Sequence, residues 1–148
     1  MSGVGLTYDL SGVAMLQKRV AAIGAIDREW LLEFIGATVQ SQTRRRITDV
    51  KEAPDGSAWP KWSKRYAETL HSGKSFLEGE GFLLGSLTYE YSPTGHSVEV
   101  GSNMIYAATH QYGDAERNIP ARPYLGLSSE DESDLEQVID NFLLRVAP

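Results

Sequence analysis

The sequence predicts an α+β fold in which N-terminal helices and a C-terminal helix pack on a small antiparallel β-sheet. Three observations lead to this prediction: apolar residues recur at helical spacing near both ends of the chain, two β-rich runs flank a turn in its second half, and no repeat or low-complexity linker divides its 148 residues. We expect one domain, since this length suits a single core. Its expected parts are N-terminal helices (1–48), a Trp-containing loop with a short helix (49–81), a hairpin and loop segment (82–127) and a C-terminal helix (128–148).

Two helices are predicted in the first 48 residues. The first covers 12–22, where the apolar residues at helical spacing are Val13, Leu16, Val20 and Ile23. Asp27 is a suitable N-cap for the second helix, which reaches about residue 48. The predicted apolar stripe of this second helix consists of Trp30, Leu31, Phe34, Ile35 and Thr38.

The basic run Arg44-Arg45-Arg46 lies in the last turns of this second helix. Cations at this end complement the negative pole of the helix dipole. Because three consecutive residues point in different directions around a helix, they do not form one patch. We therefore favour a solvated helix end over a phosphate-binding site.

The middle of the chain begins with a loop over residues 49–62, as the turn signal Pro54-Asp55-Gly56 indicates. Ser63 is placed to cap a short helix over 64–71. Residues 72–81 are rich in Gly and Ser, and we expect them to be mobile.

A β-hairpin is predicted next. The run 85–91 alternates and carries β-formers, 93–95 is the turn, and 97–101 is the return strand. Residues 103–112 favour a short helix. Residues 113–127 contain Gly113, Pro120 and Pro123, which favour an ordered or semi-ordered loop with at most one strand.

The final helix has the clearest signature. Ser129 and Glu132 have the spacing of a capping box, and the acidic residues 130–132 suit the positive end of the helix dipole. Its apolar residues recur at helical spacing and predict one core-facing side: Leu135, Val138, Ile139, Phe142, Leu143 and Val146.

Composition and charge limit the function classes. The net charge is −6, with 11 basic and 8 acidic residues in 1–74 and 3 basic and 12 acidic residues in 75–148. An acidic chain is not a general nucleic-acid binder. The polarity suits a subunit whose basic side docks on a neighbour's acidic side, and two solvated faces with no partner remain the alternative.

No apolar run is long enough to span a membrane, and no secretory signal is apparent. We therefore expect neither a membrane-spanning helix nor secretion.

No pattern of catalytic or ligand-binding residues is present in the sequence. Cysteine is absent, and the three histidines (His71, His96 and His110) share no spacing that would hold a metal. There is no nucleophile elbow, Walker loop or dinucleotide fingerprint. We therefore expect no enzyme activity, no cofactor and no metal. A lone His110 in a short helix is more often a hydrogen-bonded structural histidine than a catalyst.

Three segments are not explained by folding alone. They are the loop 59–62, the run 106–113, and the stiff run 119–126, in which Arg122 precedes a proline and is held extended. Aromatic residues and Arg are favoured at interfaces. The expected subunit contacts are therefore Trp59, Trp62, Tyr112, Arg122 and Tyr124. The alternatives are a loop that folds back on the core of its own chain, and a rigid connector to the last helix.

The same segments resemble those of the phage virion morphogenesis proteins, the phage Mu G-like family of small tail-completion proteins. The resemblance covers about residues 46–145. It rests on Pro54-Asp-Gly56 with Trp59-Pro60 and Ser63, on Gly81-x-Leu83-x-x-Ser86, on Val98-Glu-Val100-Gly101, on Tyr106-Ala107 with His110-Gln111-Tyr112-Gly113, on Ile119-Pro-Ala-Arg-Pro-Tyr-Leu-Gly126, and on the acidic start of the last helix. The two motifs in 106–113 and 119–126 are its specific part. Glu80 stands where Ser or Thr is expected, and 71–80 looks longer than usual.

The resemblance implies a structural role in tailed-phage assembly, with a fold like that of tail-terminator or neck proteins. It implies a homo-oligomeric ring (a hexamer is one option) that stops tube growth at the head–tail junction. The implied partners are further copies of the chain, the tail tube and the head–tail connector proteins. DNA at most passes through a channel, and the implied location is the virion, after assembly in the bacterial host cytoplasm.

Two other functions stay open at this point. One is a neck or DNA-packaging factor that uses Arg44–Arg46 with Lys61, Lys64 and Arg65. The other, less favoured, is a small hydrolase, which would need a pocket around His110 with a nearby carboxylate.

Overall fold

The computed structural model describes residues 3–9, 28–69, 75–79, 81–92 and 96–146. The predicted helix over 12–22, the cap at Asp27, the turn at 93–95 and part of the stretch 72–81 lie outside these residues. In chain order the described elements are β1 (Val4–Asp9), α1 (Arg28–Arg45), a π-helical turn (Arg46–Val50), α2 (Lys64–Thr69), α3 (Phe82–Ser86), β2 (Thr88–Tyr91), β3 (Ser97–Ser102), α4 (Ala107–Tyr112) and α5 (Ser129–Val146).

The three described strands form one antiparallel sheet in the order β1–β3–β2, which confirms the predicted α+β class. Val4 lies opposite Ser102 at one end of the β1–β3 pair, and Tyr91 lies opposite Val98 in the β2–β3 pair. The two hairpin strands were predicted, although residues 85 and 86, expected at the start of the first strand, belong to α3 instead. β1 was not predicted, because its short sequence contains a glycine and its partner strand lies in the other half of the chain.

α1 packs on the sheet and on α5 through a face that shares Leu31 and Ile35 with the predicted stripe but is rotated towards Leu32 and Val39. Its buried apolar residues are Leu31, Leu32, Ile35 and Val39. Trp30 is 59% exposed, and Phe34 lies at the edge of the helix contact, with its ring centroid 5.3 Å from that of Phe142. The predicted stripe was therefore wrong at Trp30 and Phe34, because large aromatic residues were given more weight than the helical phase of Leu32 and Val39.

A π-helical turn follows α1 directly. The backbone N–H of Lys51 donates to the carbonyl of Arg46 over 2.8 Å, five residues back, and Lys51 takes a left-handed conformation with φ of 60°. The turn places Arg46 and Ile47 inside the molecule while Arg44 and Arg45 stay exposed. A solvated helix end is thus wrong for Arg46.

α5 begins at Ser129, as predicted, but its cap lies one residue earlier than expected. The hydroxyl of Ser128 accepts from the amide of Asp131 over 3.1 Å, and a carboxylate oxygen of Asp131 accepts from the amide of Ser128 over 3.1 Å. This reciprocal pair is a capping box with Asp in place of Glu. The predicted pair of Ser129 and Glu132 was wrong, because Ser128 and Asp131 make the two reciprocal bonds and Ser129 is already the first residue of the helix.

Two apolar clusters form the core. One contains α1, β3 and α5, with Ile35, Val98 and Phe142 among its members. The other contains Ile47, Trp59, Leu83, Leu87 and Tyr124, and it joins the loops of the middle of the chain to α3 and α4. The two motifs of the sequence resemblance lie against this second cluster.

Candidate functional site

The motifs in 106–113 and 119–126 bind each other. The side-chain oxygen of Gln111 accepts from the backbone amides of Tyr124 and Leu125, over 3.0 Å in each case. The side-chain amide of Gln111 donates to the carbonyl of Leu125 over 3.3 Å. The Tyr124 hydroxyl donates to the carbonyl of Ala107 over 3.2 Å. Both side chains are buried, so these bonds hold an extended segment against a short helix.

The Trp-containing loop is bound to the same segment. The indole N–H of Trp59 donates to the carbonyl of Pro123 over 2.8 Å. The Arg122 guanidinium donates to the carbonyls of Pro60 (2.9 Å) and Lys61 (3.2 Å), and lies 5.1 Å from the ring centroid of Phe76. The loop 59–62 therefore folds back on its own chain.

Arg46 links this region to the last helix. Its guanidinium donates to the carbonyls of Tyr124 (3.4 Å) and Gly126 (3.0 Å). It also forms a buried ion pair with Asp131, the residue that caps α5. We call the bonded set of Arg46, Trp59, Gln111, Arg122 and Tyr124 the motif core.

Both motif glycines are required by backbone geometry. Gly113 has φ of 75°, and a Cβ there would lie 2.7 Å from the amide nitrogen of Ala121. Gly126 has φ of 134°, and a Cβ there would lie 2.8 Å from Cγ of Pro54. Side chains are disfavoured at such φ values, so glycine ends each motif where the chain turns against a close neighbour.

The five predicted contact residues separate into two groups. Trp59 (5% exposed), Arg122 (7%) and Tyr124 (0%) are enclosed by their own chain, where they hold loops together. Tyr112 is 65% exposed and Trp62 is half-buried, so only these two present a surface to a partner. Residue type and loop position could not distinguish the groups, because Trp, Tyr and Arg serve a loop-rich core as well as an interface.

Sequence reasoning missed the roles of Arg46, Gln111 and Asp131. Arg46 was assigned to a solvated end, yet it lies seven residues after buried Val39, on the same helical face. This seven-residue spacing was the signal in the sequence that could have predicted the burial of Arg46. Gln111 was recognised only as a letter of a motif, and its bonds to residues 124 and 125 had no local signature.

A cavity of about 560 Å³ lies beside the motif core, and we call it the aromatic groove. Aromatic side chains form much of its wall: Trp62, Tyr66, Phe82 and Tyr106. Tyr66 and Phe82 are 53% and 64% exposed. His110, Arg117, Arg122 and Glu78 also line it. The groove thus combines exposed aromatic surface with charged groups of both signs.

His110 is a partly buried titratable group of the groove. Burial, and to a smaller extent the charge of Arg122, lower its pKa below the ordinary value of 6.5. Its ring packs edge-on against Tyr106, with 5.5 Å between centroids. Its Nδ1 atom is buried and has no hydrogen-bond partner among the residues that the structure describes.

The groove provides only part of what a hydrolase would need. Glu78 lines the same cavity as His110, but its carboxylate binds the Lys51 ammonium over 2.5 Å, and that bond lowers the pKa of Glu78. Within the described ranges, no carboxylate is hydrogen-bonded to His110, and such a bond is what orients a catalytic histidine.

Over the part of the chain described, no group of three His, Cys, Asp or Glu residues is placed to hold a metal ion. Nor does any helix in those ranges have the length and apolar character needed to cross a bilayer.

Comparison with known proteins gives a family match over most of the chain. The model of the phage virion morphogenesis family matches residues 9–144. The Mu-like prophage FluMu G protein 2 of Haemophilus influenzae is 39% identical over 122 residues, which cover 78% of this chain and 79% of that protein. Protein G of Escherichia phage Mu, which its name assigns provisionally to capsid assembly, is 24% identical over 143 residues, covering 86% and 87% of the two chains. No solved structure matches the chain.

Proposed function

Since the chain belongs to the phage virion morphogenesis family, we propose that it completes the tail of a tailed bacteriophage at the head–tail junction, as a ring of identical subunits in the virion. We also propose that its fold is of the tail-terminator and neck-protein type. The ring binds the tail tube on one side and the head–tail connector on the other. The reaction is assembly without covalent chemistry.

The observation that carries the proposal is the contrast between the buried, hydrogen-bonded motif core and the exposed apolar side chains around it. The polar side chains of the motif core form hydrogen bonds to the backbone of their own chain, and these bonds make a rigid platform. Around that platform large apolar side chains stay exposed: Tyr66, Phe82, Ile105 and Tyr112. Exposed aromatic side chains on a rigid support suit docking, because little ordering entropy is lost on binding.

The charge distribution supports a ring. A ring needs a heterologous contact, in which one face of a subunit meets a different face of the next. The first 74 residues carry an excess of three positive charges and the remainder an excess of nine negative ones. Part of this charge is compensated within the chain, where Arg45, Arg46 and Lys51 pair with carboxylates of the second half. The cations that stay exposed on α2 and the carboxylates that stay exposed on α5 favour head-to-tail contacts over contacts between like faces.

A station on the head side is the second candidate, and the name of the phage Mu relative favours it. That protein is named for capsid assembly, not for the tail. In this alternative the chain acts as a neck or packaging component on the head, and the tail attaches afterwards.

Deletion of the gene from its phage or prophage, followed by electron microscopy of the particles, tests the proposal. We expect DNA-filled heads beside separate tails of irregular length, and we expect a plasmid copy of the gene to restore joined particles. Gold-labelled antibody should decorate the junction of restored virions. Empty or unassembled heads with normal tails would favour the head-side station, and normal infectious particles would overturn both.

A further inference from the structure

We infer that the contact between neighbouring copies joins the aromatic groove of one subunit to the acidic outer face of α5 of the next. This inference rests on the ring of the proposed function and names its two surfaces. The partner at the groove is a second copy of this chain.

The groove side carries exposed cations. Lys61, Lys64 and Arg65 are exposed and lie next in sequence to the groove residues Trp62 and Tyr66. Within the described ranges, no carboxylate lies within 4 Å of the side-chain nitrogens of these three cations. These charges are therefore available to an acidic surface of another molecule.

The α5 side carries the complementary charge. Glu132 and Glu136 are one helical turn apart, and both are exposed. Arg45 lies near Glu130 (3.8 Å) and Asp134 (4.0 Å), whereas within the described ranges no cation lies within 4 Å of the carboxylates of Glu132 and Glu136. Leu144, near the end of the same helix, is 75% exposed and supplies apolar surface for the aromatic side chains.

The two surfaces belong to different parts of the molecule. α5 packs on α1 in one apolar cluster, while Leu83, Leu77 and Tyr106 of the groove belong to the other. Over the described residues no ion pair joins α2 to α5. Each copy thus offers one basic aromatic surface and one acidic surface, which is what a repeating head-to-tail contact requires.

Charge reversal on each surface tests the inference with the full-length protein. Variant one carries Lys64→Glu and Arg65→Glu, and variant two carries Glu132→Lys and Glu136→Lys. We expect each to self-associate at least about tenfold more weakly than the parent at low salt, because like charges would then face each other. An equimolar mixture should co-assemble with the two variants alternating in a one-to-one ratio, since the intact groove of one meets the intact α5 of the other and the two reversed surfaces are also complementary.

A variant with all four substitutions should regain self-association, because complementarity is restored with the signs exchanged. Asp49→Lys with Glu90→Lys is the matched control: both residues are exposed, lie outside the two surfaces and change the charge as variant two does. It should associate like the parent. Sedimentation velocity measures association, and circular dichroism checks that each variant is folded.

Three results would overturn the inference. The first is a parent that stays monomeric up to about 100 µM, a concentration at which a Kd near 10 µM would give mostly bound subunits. The second is a parent whose association is insensitive to both charge reversals, and the third is a mixture of the two variants that forms no complex. None of these results bears on the particle phenotype that tests the proposed function, so failure here leaves that proposal standing or falling on the gene deletion alone.

Discussion

The motif core and the rim of the aromatic groove lie side by side but are built in opposite ways. In the motif core, polar side chains are buried and each holds a backbone segment through hydrogen bonds. At the rim, the large side chains of Tyr66 and Phe82 are exposed, and the cations of α2 have no acidic partner among the described residues. The difference teaches that the residues of the two sequence motifs hold the fold, whereas the exposed aromatic and basic surface lies beside them.

The largest contrast should come from the two arginines at the end of α1. Arg46→Ala leaves the buried carboxylate of Asp131 without its counter-ion, and we expect the free energy of unfolding to fall by about 3–5 kcal/mol. Arg45→Ala is the matched control. Its side chain is 45% exposed and 3.8–4.0 Å from its acidic neighbours, so the loss should stay below about 1 kcal/mol. Urea unfolding measures both losses of stability, and equal losses would remove the distinction between the buried and the exposed arginine.

Adjacent residues of α4 give the next contrast. Gln111→Ala leaves the buried amides of Tyr124 and Leu125 without an acceptor, and an unsatisfied buried donor costs about 1–3 kcal/mol. We expect a loss of about 2–4 kcal/mol in the free energy of unfolding. Tyr112→Ala should cost under about 1 kcal/mol, since the ring is largely in water. If Tyr112 is a subunit contact, its substitution should instead reduce assembly; a variant that unfolds like Gln111→Ala would place Tyr112 in the core.

Arg122 decides between an interface residue and a connector. An interfacial Arg122 predicts a nearly unchanged melting temperature for Arg122→Ala, whereas the structure predicts a clear decrease. We expect about 2 kcal/mol, from lost bonds to two carbonyls and the lost contact with Phe76. In a chain of this size that is about 4–8 °C, measurable by calorimetry. Arg117→Ala, whose side chain is 63% exposed, is the control and should shift the midpoint little.

The smallest effect concerns pH. Burial and then Arg122 lower the pKa of His110 in the folded protein, so the unfolded chain binds this proton at higher pH. Stability from this group is full above about pH 6.5 and is lost as the pH falls through the lower folded pKa. His110→Asn should remove that part of the slope of unfolding free energy against pH. An unchanged slope would mean that His110 is as accessible to protons as a rim residue.

Much of the secondary structure followed from local pattern. The helical spacing of Phe142 and Leu143 and the β-rich run before Gly101 located α5 and β3. What could not be predicted depends on contacts between distant segments. β1 is a strand because it pairs with β3, and the burial of Arg46 depends on its ion pair with Asp131, far along the chain.

The candidate site was predictable as a place but not as a set of roles. The three segments without a folding explanation do meet in space, through the bonds of Trp59 and Arg122. Their aromatic residues nevertheless include both buried Tyr124 and exposed Tyr112. The sequence alone gives the residue type. Whether a given aromatic side chain is buried or exposed depends on how the whole second cluster packs.

The π-helical turn after α1 makes the length of the chain at this point critical. One residue fewer between Arg46 and Lys51 would let an ordinary α-helix continue, and everything after it would rotate by about 100° around the helix axis. Trp59 would then leave the carbonyl of Pro123, and Lys51 would lose Glu78. Insertions and deletions within 46–50 therefore act as rotations of the following loop, whereas the same changes in an exposed connection would only alter its reach.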